Sequence, residues 1–531
     1  MLRLVMLLSL AGPAVLASQS NGLPAESARS RWFDRWSALS PRADLPRLLS
    51  HAGAAAASLL WPAPRIGSFW TAGNPAGFRA EVHDTLTDFS IGLLNQSGSY
   101  RRPLDPGKSR SFGASAIGWR PMDLRFALLG RVVVDQERFD PGSRADVTEA
   151  YPTSPFVTID TSSTATRRTR ARLEGVGSWR FGATAIGLTV GYETRAHETI
   201  ASGLVRRTRQ VVPGAVLGVA RRLGGVEIGG YGRYRLRAET IRLLERAANG
   251  QVIELRGLKE APILDILNAY YRRIEEKAPS AGLTASGSLG RARWILFGER
   301  AWLEERLTGQ ESSDPATDRW NADGWVVGGA FQRPLGRRRL LTVDGRYTTL
   351  TGSGDLVFDS AAVIFRATER ALGGSAEVRW APDSTHWGLV LGVAIRSERR
   401  LRNDLAVSLG SRVNGLTIGA SVEVGRALSP DVYLSGTVAA ANYSATSAFP
   451  APGVLGVVYR TFTLPELDVA ARQARPLLGA LGLRWRVGSA ASLWLVARGE
   501  RLAPVGARGP SGFGPVGTRT TGTIEAGVTL R

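Results

Sequence analysis

The stretch from Gly415 to Gly425 alternates without interruption: Leu416, Ile418, Ala420, Val422 and Val424 are separated by Thr417, Gly419, Ser421 and Glu423. A strict period of two sends successive side chains to opposite faces of a strand, so one face must meet something apolar and the other something wet. The pattern recurs along the chain. Phe89, Ile91 and Leu93 alternate with Ser90 and Gly92, and Ile186, Leu188, Val190 and Tyr192 share one side of their segment. Between Leu124 and Asp135, the apolar residues Phe126, Leu128, Val132 and Val134 oppose Arg125, Arg131 and Asp135. From Val226 to Arg237 the residues Glu227, Tyr231, Arg233, Arg235 and Arg237 fall on one side. Charges this frequent on a single face do not fit a sandwich core, but they fit a water-filled lumen whose outer wall meets lipid.

The connections alternate between turns of a few residues, such as Arg120 to Asp123, and long polar segments such as Gln136 to Thr169, Ala238 to Ser280 and Glu304 to Asp323. That asymmetry belongs to bacterial outer-membrane barrels, and no apolar run past the N-terminus approaches the ~18 residues of a spanning helix. The expected fold is all-β: a transmembrane antiparallel up-and-down β-barrel over residues 86–531 with long external loops. It should have about 20 strands, within a range of 16 to 20. Nineteen segments count directly, with Leu405 to Arg412 and Gly415 to Gly425 taken as two strands across Val413 and Asn414. Val454 to Thr463 is the twentieth, which puts both ends of the barrel on one side. Thr523 to Arg531 would close the barrel, although Arg531 stands where such barrels finish on an aromatic residue. Within Ala238 to Lys277, the residues Ile263, Leu264, Ile266, Leu267, Tyr270, Tyr271 and Ile274 suit either a loop helix or an extension of the strands.

Residues 1–17 read as a secretory signal peptide: Arg3, then the apolar run Leu4 to Leu10, then a small-residue cleavage site at Ala17. Residues 18–85 are expected to be a separate N-terminal segment, periplasmic or plugging the barrel; Trp32, Trp36 and Leu39 at helical spacing suit a short amphipathic helix against the membrane or in the barrel, or a poorly ordered leader.

Little in the chain suggests catalysis. There is no Cys, the four histidines are scattered without metal-ligand spacing and read as turn or surface residues, and no Gly-x-Ser-x-Gly occurs. The pairs Glu275 with Glu276 and Glu304 with Glu305 read as solvated loop charge rather than acid and base. No enzyme activity, metal or other cofactor is expected. The formal net charge of +21 would suit nucleic acid, but the arginines are dispersed over strand ends and loops. Anionic lipid head groups, or a lumen that prefers anions, fit them at least as well.

The segment Asn74, Pro75, Ala76 and Gly77, just before the first strand, resembles the Asn-Pro-Ala-Gly segment of the long-chain fatty-acid transporter family of outer-membrane barrels. Together with Tyr100 to Pro103 and Ile253 to Leu258, it is also similar to an uncharacterised family of outer-membrane β-barrel proteins. That resemblance implies a fold and a place in the outer membrane of a Gram-negative-type bacterium, and no activity. The expected function is a passive channel or transporter for a small solute, with hydrophobic cargo favoured by the fatty-acid resemblance. A non-transporting anchor or assembly partner, or a soluble secreted β-protein, are the alternatives. Expected partners are outer-membrane lipids and lipopolysaccharide, the barrel-assembly machinery and a small solute; nucleic acid is not among them. The candidate lumen charges are Arg125, Arg131, Asp135, Glu227, Arg233, Arg235, Arg237 and Glu423.

Overall fold

The computed structural model describes residues 73–81, 85–140, 154, 156–160, 165–199, 206–243, 252–256, 263–264, 270–309, 318–336, 338–355, 363–380, 387–405, 408–449, 459–506 and 516–530. The signal peptide, the Trp32 segment, and His51, His83 and His386 lie outside them. The strands are β1 (Leu86–Gly98), β2 (Lys108–Pro121), β3 (Phe126–Asp140), β4 (Phe156–Asp160), β5 (Thr166–Phe181), β6 (Thr184–Thr199) and β7 (Arg206–Leu223). They continue as β8 (Val226–Leu243), β9 (Val252–Arg256), β10 (Ile263–Leu264), β11 (Tyr270–Leu289), β12 (Ala292–Gly309), β13 (Asp318–Pro334) and β14 (Arg339–Asp355). The last seven are β15 (Val363–Trp380), β16 (Trp387–Asp404), β17 (Leu409–Ala427), β18 (Val432–Ala448), β19 (Ala474–Val487), β20 (Ala491–Pro504) and β21 (Arg519–Leu530). Two short helices accompany them: α1 (Phe78–Glu81) and α2 (Leu464–Ala471).

Eighteen of these strands form one antiparallel sheet in which each pairs with its sequence neighbour, and β1 pairs with β21 from Thr87 opposite Leu530 to Gly98 opposite Arg519. The sheet is therefore a closed barrel. Closure is what lipid demands, because an edge strand would leave a row of N–H and C=O groups with no water to satisfy them. The remaining three, β4, β9 and β10, make a small separate sheet from the external connections β3 to β5 and β8 to β11.

The strand count of 18 falls inside the expected range, and its difference from 20 has a local cause. Val413 and Asn414 do not turn: they pair with Arg400 and Arg399, so the two segments assigned there are the single strand β17. Of Val454 to Thr463, residues 454–458 lie outside the described residues; Tyr459–Thr463 is helical and leads into α2, so the described part supplies no twentieth strand. Tyr270, Tyr271 and Ile274 belong to the extended β11, while Ile263 and Leu264 pair with Ile253 and Val252 rather than forming a helix.

The faces follow the alternation. Leu416, Ile418, Val422 and Val424 are exposed on the outside, as are Phe89, Ile91, Leu93, Leu188, Val190, Val393 and Leu481, whereas Thr417 and Glu423 are buried inside. Aromatic residues edge this apolar belt near the short turns: Trp179 stacks on Phe126 with centroids 4.5 Å apart, and Arg426 lies 5.1 Å over Trp387. At β7 to β8 the turn is Gly224 and Gly225, with Gly224 at φ +63°, which a side chain would strain. A closed antiparallel barrel with an apolar, aromatic-edged belt is the architecture of the bacterial outer membrane, and this protein is an outer-membrane barrel. The short turns mark the periplasmic end.

Ile418, 55% exposed, sits mid-strand on the lipid face. Ile418→Arg should cost roughly 2–4 kcal/mol in urea unfolding from lipid vesicles, while Ser421→Arg, which points into the lumen, should cost far less. Equal losses would mean that the two faces are not lipid and water.

Candidate functional site

The site grows from a row of inward positions running across five adjacent strands. The register pairs Ser178 of β5 with Gly187 of β6, Gly187 with Gly218 of β7, Gly218 with Tyr231 of β8, and Tyr231 with Gly282 of β11. Glycine at two neighbouring inward positions leaves a notch in the wall, and the N-terminal segment fills it. A Cβ on Gly218 would lie 2.0 Å from Asn74 Oδ1, and one on Gly187 would lie 2.2 Å from the carbonyl carbon of Pro75.

Asn74 is fully buried in this seat. Its amide Nδ2 reaches the backbone carbonyls of Val219 at 3.2 Å and Gly230 at 3.3 Å, and Thr284 Oγ1 at 3.4 Å. Its Oδ1 accepts from the Ala76 N–H at 3.1 Å, capping the single turn Pro75–Gly77, where proline suits the first helical position. Ser178 Oγ donates to the Ala76 carbonyl at 3.0 Å. Phe78 of α1 then packs on Leu86, Ile117, Trp119, Ala127, Leu129 and Val176, and Arg79 Nη2 donates to the Asp123 carbonyl in the β2 to β3 turn at 2.8 Å. In that turn Asp123 accepts from the backbone N–H groups of Arg125 and Phe126, which hold its carboxyl below the usual carboxylate range.

Beyond the notch the wall is a network of charge. Tyr231 lies across Gly282 and donates to Glu299 Oε2 at 2.8 Å; Ser280 donates to Glu299 Oε1 at 2.7 Å, and Arg233 pairs with the same oxygen at 3.1 Å. Arg235 pairs with Glu276. Arg237 pairs with Glu239 at 2.7 Å, Glu276 at 3.1 Å and Glu305 at 4.0 Å. All of these are inward-facing, and Glu239, Glu276, Glu299 and Glu305 are buried.

Two expectations change here. Glu276 and Glu305 are not loop charges. Because β11 and β12 run further outward than the alternation suggests, each adjacent pair straddles the wall. Glu275 and Glu304 face outward to Arg273 and Arg306, while Glu276 and Glu305 face in. Nor is the arginine run of β8 uncompensated positive charge, since its three cations face four carboxylates.

The other candidates are dispersed. Arg125 lies exposed in the turn before β3 and not on the lumen wall, because the strand starts at Phe126. Arg131 is half-buried opposite Glu174, and Asp135 pairs with Arg170 at 2.6 Å. Glu227 is half-buried at the periplasmic end of β8. Glu423 is 2% exposed and shares an inward row with Arg379 across Val390. His197, read as a turn or surface residue, is buried on β6 with Phe139 edge-on at 5.9 Å.

Inside the external end, side chains from connections pack against the wall. Leu104, Phe156 and Phe462 converge on the inward residues Ile241, Ile274, Leu307, Trp320, Leu350 and Phe365. Beside them α2 is tied to the wall by Tyr443 Oη donating to the Ala470 carbonyl and by Arg402 near Glu466 at 3.6 Å. Tyr100 Oη donates to the Val469 carbonyl at 3.4 Å, and burial pushes this phenol up to about 12.

No protein-family model and no curated protein matches the sequence. Among solved structures, the unliganded ferric citrate transporter FecA is similar at 10% identity and a TM-score of 0.44, over 84% of this chain and 79% of that one. The ferric enterobactin receptor of Pseudomonas aeruginosa gives 10% identity and 0.40, over 85% and 81%. The copper transporter OprC gives 11% and 0.39, over 82% and 81%. Likeness this loose does not bear on lumen or cargo, and the resemblance of Asn74 to Gly77 to fatty-acid transporters gains no support from it.

The chain has no cysteine, so a single one reports cleanly. In an Ala76→Cys background, maleimide labelling should be slow, and adding Gly218→Val should make it fast by expelling Asn74. Equal rates would show that the notch does not hold the segment. Glu276→Ala, which strips a shared partner from Arg235 and Arg237, should cost about 3–5 kcal/mol of unfolding free energy in lipid vesicles.

Proposed function

We propose that this outer-membrane barrel passes a small solute through a gated lumen, with the segment around Asn74 as the periplasmic gate. The carrying observation is the notch at Gly187 and Gly218. It is shaped to the backbone of one short segment, and Asn74 meets the wall there through only a few neutral hydrogen bonds. Such contacts are each worth about 1 kcal/mol net, so Asn74 is held specifically in shape yet lightly, and the burial of Phe78 beside it, worth about 1.5–3 kcal/mol, is the larger part of what opening must overcome. The wall around it is polar and charged, which a path for water and solute requires and a filled core does not. A gate differs from the passive channel expected on sequence grounds, since the segment and the external cluster both stand in the way. The charged wall around Arg233 to Arg237 gives hydrophobic cargo no particular support.

The second reading, a non-transporting anchor or assembly partner, is favoured by one observation: the external cluster around Phe462 joins residues from opposite parts of the chain across the mouth. The two readings separate in planar bilayers. The full chain should be silent or rarely open, and a chain lacking residues 74–78 should conduct, more so with Phe462→Ala added. If both variants stay sealed while still migrating as closed barrels in unboiled detergent gels, the gate is wrong and the anchor stands.

A further inference from the structure

Basic residues also gather on the outside of the wall. Towards the external ends of the strands, one outward row runs Arg110 of β2, Arg138 of β3, Arg167 of β5, Glu198 of β6, Arg207 of β7 and Arg242 of β8, each directly opposite the next. Adjacent strands lie ~4.8 Å apart, so the row spans about 24 Å of the barrel's circumference. Glu198 sits between Arg167 and Arg207 at 3.3 Å from each and is the row's one carboxylate. Arg110 and Arg138 face each other as like charges, an arrangement that is destabilising by itself. On the neighbouring strands β11 to β13 the outward arginines are handled differently: Arg273 has Glu275, Arg306 has Glu304, and Arg300 has Asp323.

We propose that this row binds the phosphates of a phosphorylated glycolipid in the outer leaflet. Its height argues for that occupant. Phe112, the next outward residue of β2 below Arg110, belongs to the exposed apolar belt, as do Val134 of β3, Leu173 of β5 and Leu236 of β8. An anion held here therefore has its acyl chains beside the belt. The row immediately below the arginines carries no acid, with Gln136, Thr169, Ala196 and Thr240 around a further arginine, Arg209. Those short neutral side chains leave room for sugar rings against the wall. A planar guanidinium accepts two phosphate oxygens at once, and a run of them suits a headgroup bearing more than one phosphate. The site lies on the outer surface and does not depend on how the lumen works.

The test uses the full chain in lipid nanodiscs and diphosphorylated lipid A as the probe, with bound glycolipid counted by native mass spectrometry. Arg110→Gln, Arg138→Gln and Arg207→Gln together should weaken binding about a hundredfold, since each basic group near an anionic surface contributes roughly a factor of five. Arg221→Gln, on an exposed arginine at the other end of β7, should leave it unchanged. Lipid A stripped of its phosphates should bind the wild-type chain as weakly as intact lipid A binds the triple variant. Three results would overturn the proposal: equal binding by wild type and triple variant, equal binding of dephosphorylated lipid A, or full displacement by millimolar inorganic phosphate, which would make the row a site for the free anion.

Discussion

Everything in this molecule depends on the backbone having no free edge. In hydrocarbon an unpaired N–H or C=O has nothing to bond to, so the wall can exist only as a ring, and the pairing of β1 with β21 completes it. Once the ring is closed, the period of two becomes a rule about space: odd and even positions of every strand are assigned to lipid or to lumen together. A one-residue slip anywhere would send Glu423 into lipid and Ile418 into the lumen.

The strands run longer than a membrane needs, and the surplus does much of the chemistry. A crossing takes about 9–11 tilted residues, whereas β11 has 20 and β12 has 18. The excess at the external side carries the alternation out of the lipid. There the inward set can be charged and mutually paired, as in Arg237 with Glu239 and Glu276, while the outward set meets head groups and solvent. Buried ion pairs of this kind add little net stability compared with apolar packing, but they fix which strand positions face which, since a displaced partner leaves an uncompensated charge.

Alternation made the barrel, its faces and most of its strands legible in the sequence. It misled at Val413 and Asn414, where a dip in pattern resembled a turn but the ladder runs through, and parity of the loops was already the warning, since nineteen strands cannot leave both ends on one side. The pairs Glu275 with Glu276 and Glu304 with Glu305 looked like loop because two adjacent charges break the period. In a strand beyond the lipid both faces accept charge, so the period stops being visible while the strand continues. The seat of Asn74 does leave a mark in the sequence: Gly187 and Gly218 are glycines at inward strand positions, where a missing side chain means that another backbone comes close. The partner of each arginine was not legible, because it depends on cross-strand register between residues tens of positions apart.

The notch has a consequence for the order of assembly. Asn74 bonds to groups 145, 156 and 210 residues further along the chain, on β7, β8 and β11, so its seat does not exist until those strands have been made and paired. Bringing ends this distant together is unfavourable in a chain without a wall and nearly free once the wall stands. A segment that precedes every strand of the barrel is thus placed near the end of maturation, and its arrival reports that β7, β8 and β11 are correctly in register.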